Sequence, residues 1–128
     1  MFQKIAHVTI VVHDYDDAIR FYVDRLGFIL VEDTVLNSDK RWVLVAPSAD
    51  SCQILLAKAV GEQQLQSVGN QTGKRVGFFL YTDDFDADFK RLTANGIEFV
   101  RPPKAESYGI VAVFLDLYGN LWDLIQPI

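Results

Sequence analysis

The chain has 128 residues, half of them hydrophobic, with one cysteine and a formal net charge of −5. This length and composition predict one compact domain and argue against a disordered chain. The charges are spread evenly over both halves, so no basic face is expected to bind nucleic acid or an anionic membrane. The single cysteine, Cys52, excludes an internal disulfide and a paired-cysteine metal motif, and we expect it to lie in the core.

The first half opens with an apolar stretch, 6–12, whose residues can alternate between the two faces of a strand. Asp14 follows where an N-cap is favoured, and apolar residues spaced three and four apart then predict an amphipathic helix. Gly27 is expected to end this helix in a left-handed conformation. Three strand-like runs come next, at 28–36, 41–46 and 52–58.

Residues 60–74 are polar and rich in glutamine, glycine and asparagine, as expected of a connector. A short helix is expected near 62–68, and 70–73 are typical of a turn.

The second half repeats this order about seventy positions later, because 76–86 run parallel to 6–16. A second amphipathic pattern ends at Gly96, and strand-like runs follow at 97–101, 110–116 and 121–125. We therefore predict two repeats, 1–59 and 75–128, each made of a strand, a helix and three strands. Such internal duplication favours a pseudo-symmetric fold with its site between the halves.

Several segments in this order resemble the vicinal oxygen chelate superfamily, which includes glyoxalase I, bleomycin-resistance proteins, fosfomycin-resistance enzymes and extradiol dioxygenases. They are the opening strand with His7, Phe21-Tyr22 before Leu26-Gly27-Phe28, and the closing segment 116–124. The resemblance covers essentially the whole chain. It implies an α+β fold in which two βαβββ repeats form a half-open, cup-shaped sheet of eight strands, and it implies a homodimer.

The resemblance also implies a divalent metal ion, held by the first and last strand of each repeat. These positions map to His7, Gln53, Gly77 and Asp123, and Gln53 and Asp123 are seventy residues apart. Glycine has no side chain, so the candidate ligands for Ni, Zn, Mn or Fe are His7, Gln53 and Asp123. In chemistry of the glyoxalase I type, Asp123 would move the proton. Apart from a metal, a pair of His7 with Asp123 would either act as a general base or only join the two halves.

Two of the metal-site residues also have a simpler interpretation, His7 as a hydrogen-bonded pocket residue and Gln53 as a polar lining group. An inward-facing Asp123 needs a partner, because burial of an unpaired carboxylate is costly. Period-two alternation directs further side chains into the cup, and others are expected near its rim. The candidates to contact a ligand are Thr9, Arg41, Trp42, Phe79, Tyr81 and Tyr108.

Two functional hypotheses follow from the resemblance. The first is a protein that binds a small organic molecule in the cup, as a lyase or isomerase with a degenerate metal site. The alternative is a metal-free binding or sequestration protein of the bleomycin-resistance type. No apolar stretch reaches the about 20 residues of a membrane span and no secretory pattern is present, so a cytoplasmic location is expected.

Overall fold

The computed structural model describes residues 1–128 and contains two four-stranded sheets. The chain divides into two compact units, Met1–Val68 and Gly69–Ile128, each with its own sheet. Each unit contains a strand, a helix and three strands in that order, which confirms the predicted α+β class and the βαβββ repeats. No helix of the chain is both long enough and apolar enough to cross a membrane.

In the first unit, the opening helix continues directly into a π-helical segment, and a second helix follows the last strand. Strand β1 pairs in parallel with β4, while β4 with β3 and β3 with β2 are antiparallel. The elements are β1 His7–Val12, α1 Tyr15–Ile19, the π-helical segment Arg20–Arg25, β2 Ile29–Val35, β3 Arg41–Ala46, β4 Gln53–Lys58 and α2 Gly61–Ser67.

The second unit has the same sheet order with one helix. Strand β5 is parallel to β8, and β8 with β7 and β7 with β6 are antiparallel. Its elements are β5 Val76–Tyr81, α3 Phe85–Ala94, β6 Phe99–Glu106, β7 Gly109–Leu115 and β8 Leu121–Pro127.

Local signals set the ends of the two repeated helices. The side chain of Asp14 accepts a hydrogen bond from the Asp17 amide at 2.8 Å, and that of Asp84 accepts one from the Ala87 amide at 3.2 Å. Each aspartate thereby satisfies an amide that has no partner within its helix. The helical segments are followed by Gly27 and Gly96, at φ 87° and 83°, a conformation in which glycine is strongly favoured.

Each sheet buries one face against its own helices. In the first unit, strands β1 and β4 contribute Ile10, Val12, Ile54 and Leu56 to the core. In the second unit the buried residues include Phe85 of α3 and Phe114, Trp122 and Leu124 of the sheet. The prediction that Cys52 belongs to the core is wrong, because β4 begins only at Gln53 and the cysteine before it is exposed.

The turn between β7 and β8 is held by the buried carboxylate of Asp116. It accepts hydrogen bonds from the amides of Tyr118 and Asn120, at 3.0 and 2.9 Å, and from Asn120 Nδ2 at 2.8 Å. These hydrogen bonds satisfy the buried carboxylate, so they hold the backbone of the turn in place where strand β8 begins.

Replacement of Asp116 by alanine is expected to lower the free energy of unfolding by about 2 kcal/mol, since it leaves the buried donors of Asn120 unpaired. Urea denaturation followed by circular dichroism measures this loss, with the exposed Asp50→Ala variant as control. Equal stability of the two variants would contradict this role for Asp116.

Candidate ligand-binding site

In the first unit, the face of the sheet opposite the buried core carries His7. Strand pairing places His7 opposite Gln53 and Thr9 opposite Leu55, so these four side chains lie on one face. The ring of His7 meets that of Trp42 edge-on, with centroids 5.9 Å apart and an interplanar angle of 79°. The structure therefore brings together two predicted metal ligands and two predicted ligand-binding residues within this unit.

Arg41 forms hydrogen bonds with two aspartates of the same unit. Its guanidinium donates hydrogen bonds to Asp33 at 2.7 and 3.1 Å and to Asp16 at 2.9 Å, and it stands 5.2 Å from the ring centre of Tyr15. The hydrogen bonds that Arg41 donates, first those to Asp33 and then that to Asp16, hold the pKa of Arg41 above its ordinary value. Because Asp16 belongs to α1 and Asp33 to β2, Arg41 links the helix to the sheet.

A cavity of about 460 Å³ opens where β3 begins and β4 ends. Trp42, Leu55 and Ala57 contribute to its wall from the strands, and Gln64 contributes from α2. Arg41 also borders this cavity, although its charge is balanced by the two aspartates. The wall thus combines aliphatic groups and an aromatic ring available for stacking with charged and polar residues.

In the second unit, Asp123 lies in the middle of the sheet, between apolar neighbours. It is opposite Phe79 of β5 and Val113 of β7. Tyr81 is opposite Ile125 on the same face, and the side chains of Phe79 and Tyr81 are 61% and 69% exposed. This face therefore combines exposed aromatic rings with one carboxylate.

Burial raises the pKa of Asp123, and the positive charge of Arg101 acts in the opposite direction. Desolvation disfavours the ionised carboxylate because apolar surroundings replace water, while a nearby cation favours it. Asp123 forms no ion pair in the structure. The carboxyl group is consequently available to a ligand as a hydrogen-bonding partner.

A cavity of about 520 Å³ in the second unit includes Asp123 in its wall. Of the predicted site residues, Asp123 and Tyr108 border it, whereas Arg101 and Lys104 were missed by the sequence analysis. The sequence feature that could have pointed to them is the proline pair between them, because prolines within a strand indicate an irregular strand. The charged residues of this wall are Arg101, Lys104, Glu106 and Asp123, and its other residues include Pro102, Tyr108 and Val113.

The strand register corrects the predicted equivalence of Gln53 and Asp123. In the first unit Thr9 pairs with Leu55, and in the second unit Phe79 pairs with Asp123. Phe79 lies seventy positions after Thr9, but Asp123 lies only sixty-eight positions after Leu55. In the strand pairing, the counterpart of Asp123 in the first unit is therefore Leu55, an apolar residue, which lies two positions after Gln53.

The donors present do not fit a metal centre within either unit. The first unit offers the imidazole of His7 beside the amide of Gln53, and the second offers one carboxylate, Asp123, flanked by apolar residues. A Cβ at Gly77 would stand 2.5 Å from Thr72 Cγ2, so a ligating side chain there would have to displace Thr72. No group of three or more His, Cys, Asp or Glu residues is arranged to hold a metal ion, whereas protein zinc sites use three or four such ligands. The predicted combination of His7 with Asp123 draws on both units and stays a prediction.

The raised pKa of Asp123 predicts a pH-dependent stability. Folding disfavours the ionised form, so the stability cost is present at neutral pH and disappears as the pH falls below the ordinary aspartate pKa of about 4. The Asp123→Asn variant is expected to melt at a higher temperature than the unmodified protein at pH 7, with an advantage that shrinks on acidification. Thermal denaturation between about pH 3 and pH 8 tests this, with Asp50→Asn as the exposed control. An advantage that grew as the pH fell would contradict the assigned direction.

Residues 4–124 match the family described as Glyoxalase/Bleomycin resistance protein/Dioxygenase superfamily. An uncharacterised protein of Shewanella frigidimarina is 54% identical over 98% of this chain and 95% of its own length. The crystal structure of UcmS2 superimposes with a TM-score of 0.84 at 30% identity, covering 98% of this chain and 99% of that one. TnmS3, an antibiotic binding protein from Streptomyces sp. CB03234, gives a TM-score of 0.82 at 31% identity over 99% and 98% of the two chains. The chain therefore belongs to the glyoxalase/bleomycin resistance protein/dioxygenase superfamily.

Proposed function

We propose that this protein binds a small, largely apolar organic molecule of the antibiotic type and sequesters it without chemical change. The observation that carries this proposal is the composition of the open sheet faces, which hold aromatic and aliphatic groups with isolated polar ones. Small-molecule sites in proteins have this composition, because apolar surface supplies affinity and a few polar groups fix orientation.

In the first unit, Trp42 supplies a flat aromatic surface at the border of a cavity of about 460 Å³. This volume lies within the range of about 300 to 1,000 Å³ that holds drug-sized ligands. His7 and Gln53 add hydrogen-bonding groups on the face that carries Trp42. A planar ligand would stack on the indole and satisfy one of these polar groups.

In the second unit, Phe79 and Tyr81 expose most of their surface on the face of Asp123. Exposed large aromatic groups that share one face favour an interaction site over ordinary surface. Tyr108 borders the cavity of about 520 Å³ and offers both an apolar ring and a hydroxyl group. These groups suit the same kind of molecule as the first unit.

The similarity to TnmS3 supports this class of ligand, because TnmS3 is an antibiotic binding protein. The similarity extends over nearly the full length of both chains. The alternative is a metal-dependent lyase or isomerase with His7, Gln53 and Asp123 as ligands. The poor fit of the donor set favours binding over that alternative. The homodimer and the cup-shaped arrangement of the two sheets, which the resemblance implies, stay predictions. The cytoplasmic location expected from the sequence also stays a prediction.

Ligand binding at the first unit is expected to quench the fluorescence of Trp42. A titration with a panel of aromatic antibiotics and bleomycin should include at least one compound that quenches the signal saturably and raises the melting temperature. The Trp42→Phe variant is expected to lose the quenching, while the emission of Trp122, which is buried in the other unit, serves as an internal reference. Quenching of equal size in the Trp42→Phe variant would contradict this site.

A second measurement addresses the metal-dependent alternative. Addition of Ni²⁺, Zn²⁺, Mn²⁺ or Fe²⁺ to protein prepared with a chelator is expected to leave the melting temperature within about 1 °C, since a weak donor set gives little binding energy. The matched variants are His7→Ala and His13→Ala. A stabilisation that His7→Ala removes and His13→Ala retains would contradict the proposal and favour the lyase or isomerase.

A further inference from the structure

A double proline gives strand β6 an irregular register. Proline has no amide hydrogen and cannot donate to a β-ladder. Arg101 pairs with Val113 and Lys104 pairs with Val111, so three steps along β6 match two steps along β7. One extra residue is therefore accommodated at Pro102-Pro103, which is a β-bulge.

This bulge determines where two positive charges lie. Residues three positions apart in a regular strand point to opposite faces of the sheet. Here Arg101 and Lys104 are opposite Val113 and Val111, which are themselves two positions apart and share a face. Both cations consequently lie on one face of the second sheet, and both border the cavity of about 520 Å³.

The same face carries Asp123, because Asp123 is opposite Val113 in the pairing of β7 with β8. Lys104 Nζ is 3.3 Å from Oε1 of Glu106, which also borders the cavity, so the charge of Lys104 is balanced within the wall. Arg101 takes part in no ion pair of the structure. Arg101 is exposed, whereas Asp123 is partly buried.

The remaining wall is suited to an aromatic body. Tyr108 and the proline pair present apolar surface beside the cations, and Val113 lies beneath them. A guanidinium binds a carboxylate through two parallel hydrogen bonds, which fixes orientation as well as charge. Asp123 opposes an anion when it is ionised, whereas the opposite charge of Arg101 acts on Asp123 and on an anionic ligand alike.

We propose that Arg101, with Lys104 beside it, recognises an anionic group of the bound molecule, so that the second unit selects aromatic organic anions. This inference rests on the proposed binding function and specifies its ligand class. Arg101 orients the anionic group at the mouth of the cavity, and the aromatic body of the ligand packs against Tyr108 and the prolines.

Three probes of nearly equal shape test the inference: 2-naphthoate, 2-naphthamide and 2-naphthamidine, which are anionic, neutral and cationic at pH 7. Isothermal titration calorimetry is expected to show that the unmodified protein binds 2-naphthoate about three- to tenfold more tightly than 2-naphthamide, with 2-naphthamidine weakest. The Arg101→Gln variant is expected to bind the first two equally. Lys90→Gln, which removes one exposed positive charge from α3, is expected to keep the preference.

Equal binding of the three probes by the unmodified protein would overturn the charge selectivity while leaving the proposed binding function intact. A preference that persisted in Arg101→Gln would overturn the role of Arg101. A preference lost equally in Lys90→Gln would show that net charge rather than Arg101 selects the anion. Absence of binding by all three probes would overturn this inference, and the antibiotic titration of Trp42 would still decide the proposed function. A circular dichroism spectrum of Arg101→Gln that matches the unmodified protein excludes misfolding as the cause of lost selectivity.

Discussion

The pairing of each unit's first strand with its last strand is the constraint on which the rest of the structure depends. Parallel pairing of β1 with β4, and of β5 with β8, fixes which side chains share a face. Alternate residues then meet the helices or point away from them. Ile10 and Leu124 are buried on one side by this rule, and His7 and Asp123 are placed on the other. Stability and ligand recognition thus use opposite faces of the same strands.

The two units use this arrangement with different chemistry. The first unit presents a histidine, an amide and an indole, and the guanidinium that borders its cavity, that of Arg41, is balanced by two aspartates. The second unit presents exposed aromatic rings, a carboxylate with a raised pKa and a guanidinium without an ion-pair partner. An ion-paired arginine mainly supports structure, whereas an unpaired one at a cavity is available for recognition. This contrast assigns charge selection to Arg101 rather than to Arg41.

Features with local causes could be predicted from the sequence. Asp14 and Asp84 cap helices, and Gly27 and Gly96 follow them, because each signal acts within a few residues. Features that depend on distant partners could not be predicted. The true counterpart of Asp123 emerges only from strand register, and the partners of Arg41 lie on a helix and another strand. The cationic pair on β6 required a bulge whose position follows from the pairing with β7.

The most direct test of the central claim, that the open face of a sheet holds an aromatic ligand, is an NMR measurement of contacts between 2-naphthoate and methyl-labelled protein. Intermolecular nuclear Overhauser effects are expected from the naphthalene ring to the methyl groups of Val111 and Val113, which line the cavity. None are expected to the methyl groups of Leu92 and Leu124, which are fully buried. Contacts confined to residues away from the cavity, with none to Val111 or Val113, would show that the ligand does not bind on this face.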